Sequence, residues 1–182
     1  MTAFDFDALI AKIPDYPKPG VVFRDITTLL KDPEGFAAVV DGIADRFADA
    51  GVTKVVGAEA RGFLIGAPVA YKLGAGFVPA RKPGKLPRAT RQQEYDLEYG
   101  TDMLEVHDDA LTADDVVLIV DDLVATGGTA VAQAQLVESF GAKLVGLAFL
   151  MELVDLEPRK LIEQATDVEV FSLVQVHEPK PE

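Results

Sequence analysis

The sequence predicts an α/β fold in which a parallel sheet is covered by helices on both faces. Segments with the periodicity of helices and of strands alternate along the chain, as they do in proteins built from βαβ units. The run Val116–Val120 is apolar throughout and four of its five residues are β-branched, which is typical of a strand buried on both faces. Because the ligand crevice of an open parallel sheet lies beyond the carboxyl ends of its strands, we expect functional residues at that edge.

The order of the elements follows from their periodicity and from helix-capping signals. Asp32 and Pro33 fit the N-cap and first position of a helix whose apolar residues recur at helical spacing before Gly51. Right-handed crossovers would gather the strand ends on one side of the sheet. The other predicted elements are strand Lys54–Ala58, helix Phe63–Leu73, strand Gly76–Ala80, a hairpin over Tyr95–His107, strand Val116–Val120, helix Ala130–Phe140, strand Lys143–Leu150, helix Arg159–Gln164 and strand Val168–Val174.

Length and composition favour one domain over the whole chain, 1–182. A chain of 182 residues that is 49% hydrophobic can form one well-packed core but is short for two. The net charge of −13 repels nucleic-acid backbones and anionic membranes, so we expect neither as a partner. The chain has no cysteine, no secretory signal and no apolar run long enough to cross a bilayer, and we therefore expect a cytoplasmic protein.

Two adjacent carboxylates and a glycine turn follow the apolar strand. Asp121 and Asp122 stand where the predicted strand should end, and the turn Thr126–Thr129 comes just before a predicted helix. Backbone N–H groups at a glycine-preceded helix N-terminus bind phosphate, while the acids can bind hydroxyls or a metal. Either feature alone is typical of a solvated strand end or an ordinary turn. In this order they predict a site for a ribose 5-phosphate, and the chain has neither a P-loop nor a dinucleotide fingerprint.

The segment Val116–Thr129 closely resembles the motif with which type I phosphoribosyltransferases bind 5-phosphoribosyl 1-pyrophosphate (PRPP). The resemblance implies the fold of that family, with a catalytic flap and a small hood added to the core. It implies a homodimer, and Mg²⁺ held by PRPP oxygens and water, with no direct protein ligand expected beyond the candidates Asp121 and Asp122. These two acids would also hold the ribose 2- and 3-hydroxyls. The 5-phosphate would be wrapped by Ala125, Thr126, Gly127, Gly128 and Thr129.

Two further loops carry cations at predicted strand ends. Arg61 follows strand Lys54–Ala58, and its planar fork suits phosphate oxygens, although a local ion pair with Glu59 is an equally good interpretation. The basic run after strand Gly76–Ala80 predicts an anion site more readily than a solvated surface. The resemblance implies pyrophosphate binding by both loops and a cis peptide between Glu59 and Ala60. The residues concerned are Glu59, Ala60, Arg61, Arg81, Lys82 and Lys85.

The segment 82–107 combines this basic loop with a hairpin that resembles the catalytic flap of the adenine-specific members of the family. A flap suits the chemistry, because water would compete for the ribose carbon once pyrophosphate begins to leave. The resemblance implies that Glu98 exchanges a proton with a ring nitrogen of adenine and that Tyr99 helps to close the site, so we expect Glu98, Tyr99 and Arg61 to be catalytic. A polar hairpin tip without catalytic function is the alternative.

The N-terminal segment, residues 1–30, resembles the hood that binds adenine in the same members. There the backbone of Val22 would read the amino edge of the base, Phe23 would stack on the ring, and Arg24 would complete the site. Ala125 agrees with adenine, because members that use 6-oxopurines carry an acid at this position. The resemblance therefore implies transfer of phosphoribose from PRPP to adenine, giving AMP and pyrophosphate. Another base as acceptor, or a PRPP-sensing regulatory module without catalysis, remains open.

Overall fold

The structure of the protein, a computed structural model, describes residues 4–96 and 100–177. Its core is a five-stranded sheet in the order β4-β3-β7-β8-β9, in which all neighbouring strands are parallel. Two-stranded antiparallel pairs are formed by β1 with β2 and by β5 with β6. The elements are β1 Ala11–Pro14, β2 Val22–Asp25, α1 Thr27–Leu30, α2 Pro33–Arg46, β3 Lys54–Ala58, α3 Arg61–Leu73, β4 Gly76–Ala80, β5 Thr90–Asp96, β6 Thr101–His107, β7 Val116–Val124, α4 Gly128–Ser139, β8 Lys143–Leu153, α5 Pro158–Ala165 and β9 Glu169–Val176.

Helices cover both faces of the sheet, as the sequence predicted. Alternate residues of β7 enter opposite layers, because successive side chains of a strand point to opposite faces. Val117 and Ile119 pack in a core with α4, α5 and the β5–β6 hairpin. Leu118 and Val120 pack in a second core with α2 and α3. None of the helices within the described ranges is long and apolar enough to cross a membrane.

Several predicted element bounds are confirmed. The structure begins and ends β3 and β4 at the predicted residues. The N-cap of α2 is Asp32, whose side chain accepts a 2.7 Å hydrogen bond from Gly35 N, and Pro33 is its first residue. This helix ends at Arg46, earlier than its apolar spacing suggested.

The prediction that β7 ends at Val120 is wrong. The strand continues to Val124, because β8 runs on to Leu153 and supplies hydrogen-bonding partners for the extension. Asp121 and Asp122 are therefore buried within the strand, with 8% and 5% of their surfaces exposed, rather than placed at its end. The extension carries both acids from the rim into the floor of the crevice.

The hairpin also begins earlier than predicted, at Thr90 rather than Tyr95. Its first strand has no apolar alternation, so the sequence carried no strand signal there. Tertiary contacts stabilise it instead. The Arg91 guanidinium lies 4.0 Å from the centre of the Phe140 ring, and Gln92 Nε2 donates a 3.0 Å hydrogen bond to the buried carboxylate of Glu105. The first strand of the hairpin is thus held by α4 and by its pairing with β6.

Candidate active site

The phosphate turn, residues 125–129, joins the end of β7 to the start of α4. Gly127 is the N-cap of this helix and has φ +93°, a left-handed conformation that favours glycine. The first N–H groups of a helix have no partner within it. The residues that carry these groups line a cavity of about 110 Å³, the phosphate-turn cavity, together with Asp121, Leu123 and Phe149. Unpaired donors and the helix dipole make this cavity suited to an anion.

The two adjacent acids point to opposite faces of β7. Asp121 faces α4, where its Oδ2 accepts a 3.4 Å hydrogen bond from Gln133 Nε2. Asp122 faces α3, where its Oδ2 lies 2.9 Å from Arg61 Nε. The alternative ion pair between Arg61 and Glu59 is not formed. Despite their opposite directions, both acids line one cavity of about 210 Å³, the acid cavity, with residues 58–61, Lys82, Tyr95, Leu104, Leu123 and Thr129.

Asp121 occupies an electrostatically unfavourable position. Burial raises the pKa of its carboxyl well above the usual range, and the neighbouring Asp122 carboxylate raises it further. Its Oδ1 accepts a hydrogen bond of 2.9 Å from Asp122 N. Space for it exists because residue 62 is glycine, since a Cβ there would lie 2.7 Å from the same oxygen. A buried acid with few donors is typical of a functional site.

Glu59 holds the cations that follow β4. Its Oε1 accepts a 2.6 Å hydrogen bond from Lys82 N, while its Oε2 lies 3.1 Å from Arg81 Nη2 and 3.0 Å from Lys85 Nζ. These donors hold the pKa of the Glu59 carboxyl below its usual value, although burial opposes them. The Lys82 ammonium also contacts the Asp102 carboxylate and the Tyr95 hydroxyl. The Glu59–Ala60 peptide is cis, as the resemblance implied.

An apolar pocket of about 350 Å³, the base pocket, lies on the other side of Arg61. The Arg61 guanidinium stands 5.6 Å from the centre of the Phe23 ring and forms part of the wall. The sequence prediction included Val22, Phe23 and Arg24, which all line the pocket, but missed its opposite wall. That wall consists of Leu123, Leu153 and Leu156. Their apolar character fits any core position, so the sequence held no signal for them.

The guanidinium of Arg24 retains unused donor capacity beside this pocket. Its side chain is 10% exposed, and its Nη1 lies 3.7 Å from Asp7 Oδ1. Within the described residues, Arg24 Nε and Nη1 have no hydrogen-bond partner. A buried donor without a partner is unfavourable unless a ligand or water completes it.

Comparison with known proteins places the chain in a family. Residues 25–180 match the family described as "Phosphoribosyl transferase domain". Over 175 residues, the chain is 56% identical to the adenine phosphoribosyltransferase of Desulfitobacterium hafniense, which covers 96% of this chain and 99% of that protein. The chain belongs to the adenine phosphoribosyltransferase family. Its α/β architecture is accordingly that of the type I phosphoribosyltransferases.

Solved adenine phosphoribosyltransferases have the same fold. The enzyme of Thermoanaerobacter pseudethanolicus superposes with a TM-score of 0.89 at 47% identity, covering 94% of this chain and 98% of that one. The enzyme of Giardia lamblia, solved in complex with 9-deazaadenine, gives a TM-score of 0.90 at 38% identity and covers 98% and 99% of the two chains. The agreement therefore extends over nearly the whole chain.

The predicted flap of this adenine phosphoribosyltransferase family member lies only partly within the described residues. Glu98 and Tyr99 lie outside the described residues, so their catalytic roles stay predictions. The flanking positions are described: Tyr95 lines the acid cavity, and Gly100 has φ +90°. The hairpin thus rises directly from the rim of the acid cavity.

Proposed function

We propose that the protein transfers the 5-phosphoribosyl group of PRPP to N9 of adenine, giving AMP and pyrophosphate in purine salvage. One observation carries this proposal: the three neighbouring cavities share lining residues. Asp121 lines both the phosphate-turn cavity and the acid cavity, Arg61 lines both the acid cavity and the base pocket, and Leu123 lines all three. A nucleotide has the same order of phosphate, ribose and base, so one molecule of AMP would span the three cavities.

Each cavity supplies a separate part of the chemistry. The N-terminus of α4 would hold the 5-phosphate, and Asp121 and Asp122 would hold the ribose hydroxyls. Pyrophosphate would leave from C1 toward Arg61 and the cations held by Glu59, because fixed positive groups stabilise the charge that develops on it. Adenine N9 would attack C1 from the opposite face, within the base pocket. The ring proton released as the glycosidic bond forms would pass to or through Glu98.

We further propose that the reaction uses Mg²⁺. Within the described residues, no group of three or more His, Cys, Asp or Glu side chains could hold a metal ion by itself. Asp121 and Asp122 do offer carboxylate oxygens, the hard ligands that Mg²⁺ prefers, at the floor of the acid cavity. These residues fit a metal held mainly by PRPP and water. When bound, it would neutralise part of the charge of the leaving pyrophosphate.

The preference for adenine is supported by the residues around the base. Ala125 offers no acid for a protonated purine N7, and the wall of the base pocket is largely apolar. The purified protein, incubated with PRPP, Mg²⁺ and each base in turn, should form nucleotide from adenine alone. Nucleotide formation from hypoxanthine, xanthine or a pyrimidine would overturn the base assignment. PRPP binding without turnover on any base would favour the sensing module.

Two variants test the proposed mechanism in the same assay. Arg61→Ala should lower turnover at saturating adenine, because it removes a charge that faces the leaving group and is worth roughly 2–4 kcal/mol in the transition state. Glu98→Gln should lower kcat by about 100-fold, because the amide cannot exchange the proton. Near-full activity of the second variant would reduce Glu98 to a component of the flap.

The single domain over 1–182, the homodimer and the cytoplasmic location stay predictions. The outer face of α3 supports a dimer, because Leu64 and Tyr71 lie seven residues apart on one side of the helix and are 48% and 88% exposed. Sedimentation velocity at micromolar concentration should give about twice the chain mass of 19.5 kDa. A single species at the mass of one chain would contradict the dimer.

A further inference from the structure

The structure assigns a positioning role to the ion pair between Glu152 and Arg159. We call this pair the clamp and residues 153–158, which it encloses, the clamped loop. The clamp holds this loop so that one part forms a wall of the base pocket and the other supports the phosphate turn. The inference rests on the proposed function, because it concerns how the two ends of AMP are bound at a fixed separation.

The clamp has the geometry of a strong ion pair. Arg159 Nε and Nη2 each donate a 2.7 Å hydrogen bond to a different oxygen of Glu152, which is the bidentate arrangement. Ser172 Oγ donates a third hydrogen bond of 2.9 Å to the same carboxylate. Only 2% of the Glu152 surface is exposed. These donors hold the pKa of the Glu152 carboxyl below its usual value even though burial opposes them, so the acid is charged at neutral pH.

The clamp also joins two strands to the helix that follows the loop. Glu152 lies in β8, while Arg159 Nη1 donates a 2.9 Å hydrogen bond to Val170 O in β9. Arg159 itself is the second residue of α5. This helix has only eight residues, and so short a helix has little stability of its own. Its position is therefore determined by tertiary contacts, of which the clamp is the most directional.

The clamped loop contacts both binding regions. Leu153 and Leu156, near its start, line the base pocket. At its end, Pro158 O would lie 3.0 Å from a Cβ built on Gly127, the N-cap of the helix that faces the phosphate-turn cavity. One turn further along α5, Ile162 is fully buried and its Cγ1 would lie 3.4 Å from the same point. A shift of the loop would therefore disturb base and phosphate binding together, whereas the cations at Arg81, Lys82 and Lys85 are held through Glu59, which follows a different strand.

Ligand affinities separate a positioning role from simple stabilisation. Glu152→Gln and Arg159→Met should each raise the dissociation constant of AMP by about tenfold, because loss of either partner breaks the bidentate pair that holds the clamped loop. Pyrophosphate affinity, measured by calorimetry with Mg²⁺ present, should change less than twofold. The double variant should bind AMP no worse than the weaker single variant, since the two residues act as one unit. The dissociation constant of AMP for Arg159→Lys should fall between those of the wild type and Arg159→Met. This milder variant keeps the test usable if Glu152→Gln does not fold.

Asp115→Asn is the matched control, because it breaks a comparably buried ion pair at the opposite edge of the sheet. This control should lower the melting temperature of the protein without lowering its affinity for AMP. The positioning role of the clamp is overturned if this control lowers the affinity for AMP as much as Glu152→Gln does. The positioning role is also overturned if Glu152→Gln lowers the affinities for AMP and for pyrophosphate equally.

Hydrogen exchange of the peptide that covers 123–130 separates failure of the clamp from failure of the proposed function. Glu152→Gln should accelerate exchange in this peptide, whereas Asp115→Asn should not. If the wild-type protein makes no AMP, the proposed function fails, and this measurement still decides whether the clamp supports the phosphate turn. Unchanged exchange in Glu152→Gln would overturn the clamp whatever the activity.

Discussion

The two ends of β7 carry aspartates of equal solvent exposure and opposite electrostatic character. Asp115, just before the strand, and Asp121, near its carboxyl end, are each 8% exposed. Asp115 accepts hydrogen bonds from Thr53, Lys54 and Thr112, and these lower its pKa to about 2 against the effect of burial. At Asp121 burial raises the pKa, and the Asp122 carboxylate raises it further. Exposure alone therefore does not fix the pKa of an aspartate, because hydrogen-bond donors overcome desolvation at Asp115 and do not at Asp121.

This difference separates the structural edge of the sheet from the functional edge. At the amino end Asp115 is paired with Lys54, which stabilises the fold. At the carboxyl end Asp121 is short of donors, and substrate hydroxyls or a cation would supply what is missing. Proteins commonly accept such local instability at their active sites.

The largest expected effect comes from removing the charge of Asp122. Asp122→Asn leaves Arg61 without its ion-pair partner and removes a carboxylate that we propose binds a ribose hydroxyl, so kcat/KM for PRPP should fall by about 100-fold or more. Steady-state kinetics with saturating adenine measures it. Asp115→Asn should retain kcat/KM within about twofold. Comparable losses in the two variants would remove the distinction between the two edges.

Filling the space beside Asp121 should have the next largest effect. In Gly62→Ala the new Cβ would lie 2.7 Å from Asp121 Oδ1, and the unfolding free energy should fall by about 1–3 kcal/mol because both groups belong to packed backbone or buried side chain. Urea unfolding checks this. Gly42→Ala is the control: its Cβ would meet only the flexible end of Leu173, and alanine favours the helix. An equal loss in the control would contradict the importance of the close approach at Gly62.

Removing the Asp115 carboxylate, which accepts several hydrogen bonds, should destabilise the protein in a pH-dependent way. Asp115 has a pKa of about 2 in the folded state against 3.8 when unperturbed, so its contribution is present above pH 3.8 and is lost as pH falls toward 2. Asp115→Asn should therefore lower the unfolding free energy at pH 7 by about 1–2 kcal/mol, allowing for solvent screening. Urea unfolding between pH 7 and pH 3 should show the difference from wild type narrowing. A constant difference over this range would contradict the assigned pKa.

Removing the Asp121 carboxylate, which is short of hydrogen-bond donors, should have the smallest effect on stability and should increase it. The raised pKa of Asp121 means that the folded state binds a proton more tightly than the unfolded state, so stability falls as pH rises above 3.8. Asp121→Asn abolishes this loss of stability and should raise the unfolding free energy at pH 7 by about 1 kcal/mol. The same variant should bind PRPP less tightly. Thermal unfolding and PRPP titration measure the two effects. A less stable variant would show that the carboxylate is better satisfied than its contacts suggest.

Local patterns were sufficient for much of the fold. The apolar runs of β3 and β4 give the observed strand bounds, and Asp32 with Pro33 marks the start of α2. The first strand of the hairpin could not be found, because its five residues from Thr90 to Glu94 are all polar. It is held by contacts to α4 and β6 that are remote in sequence.

The sequence by itself determined that the acid pair, the glycine turn and Arg61 follow strands of the parallel sheet, whereas Phe23 was predicted only from the family resemblance. The first three are local, since each follows directly from a strand or turn pattern. Only the tertiary structure decided that Asp121 contacts Gln133 of α4, that Arg61 pairs with Asp122 rather than Glu59, and that Leu153 and Leu156 line the base pocket. Such contacts depend on strand length and on the packing of distant segments, which local periodicity does not encode.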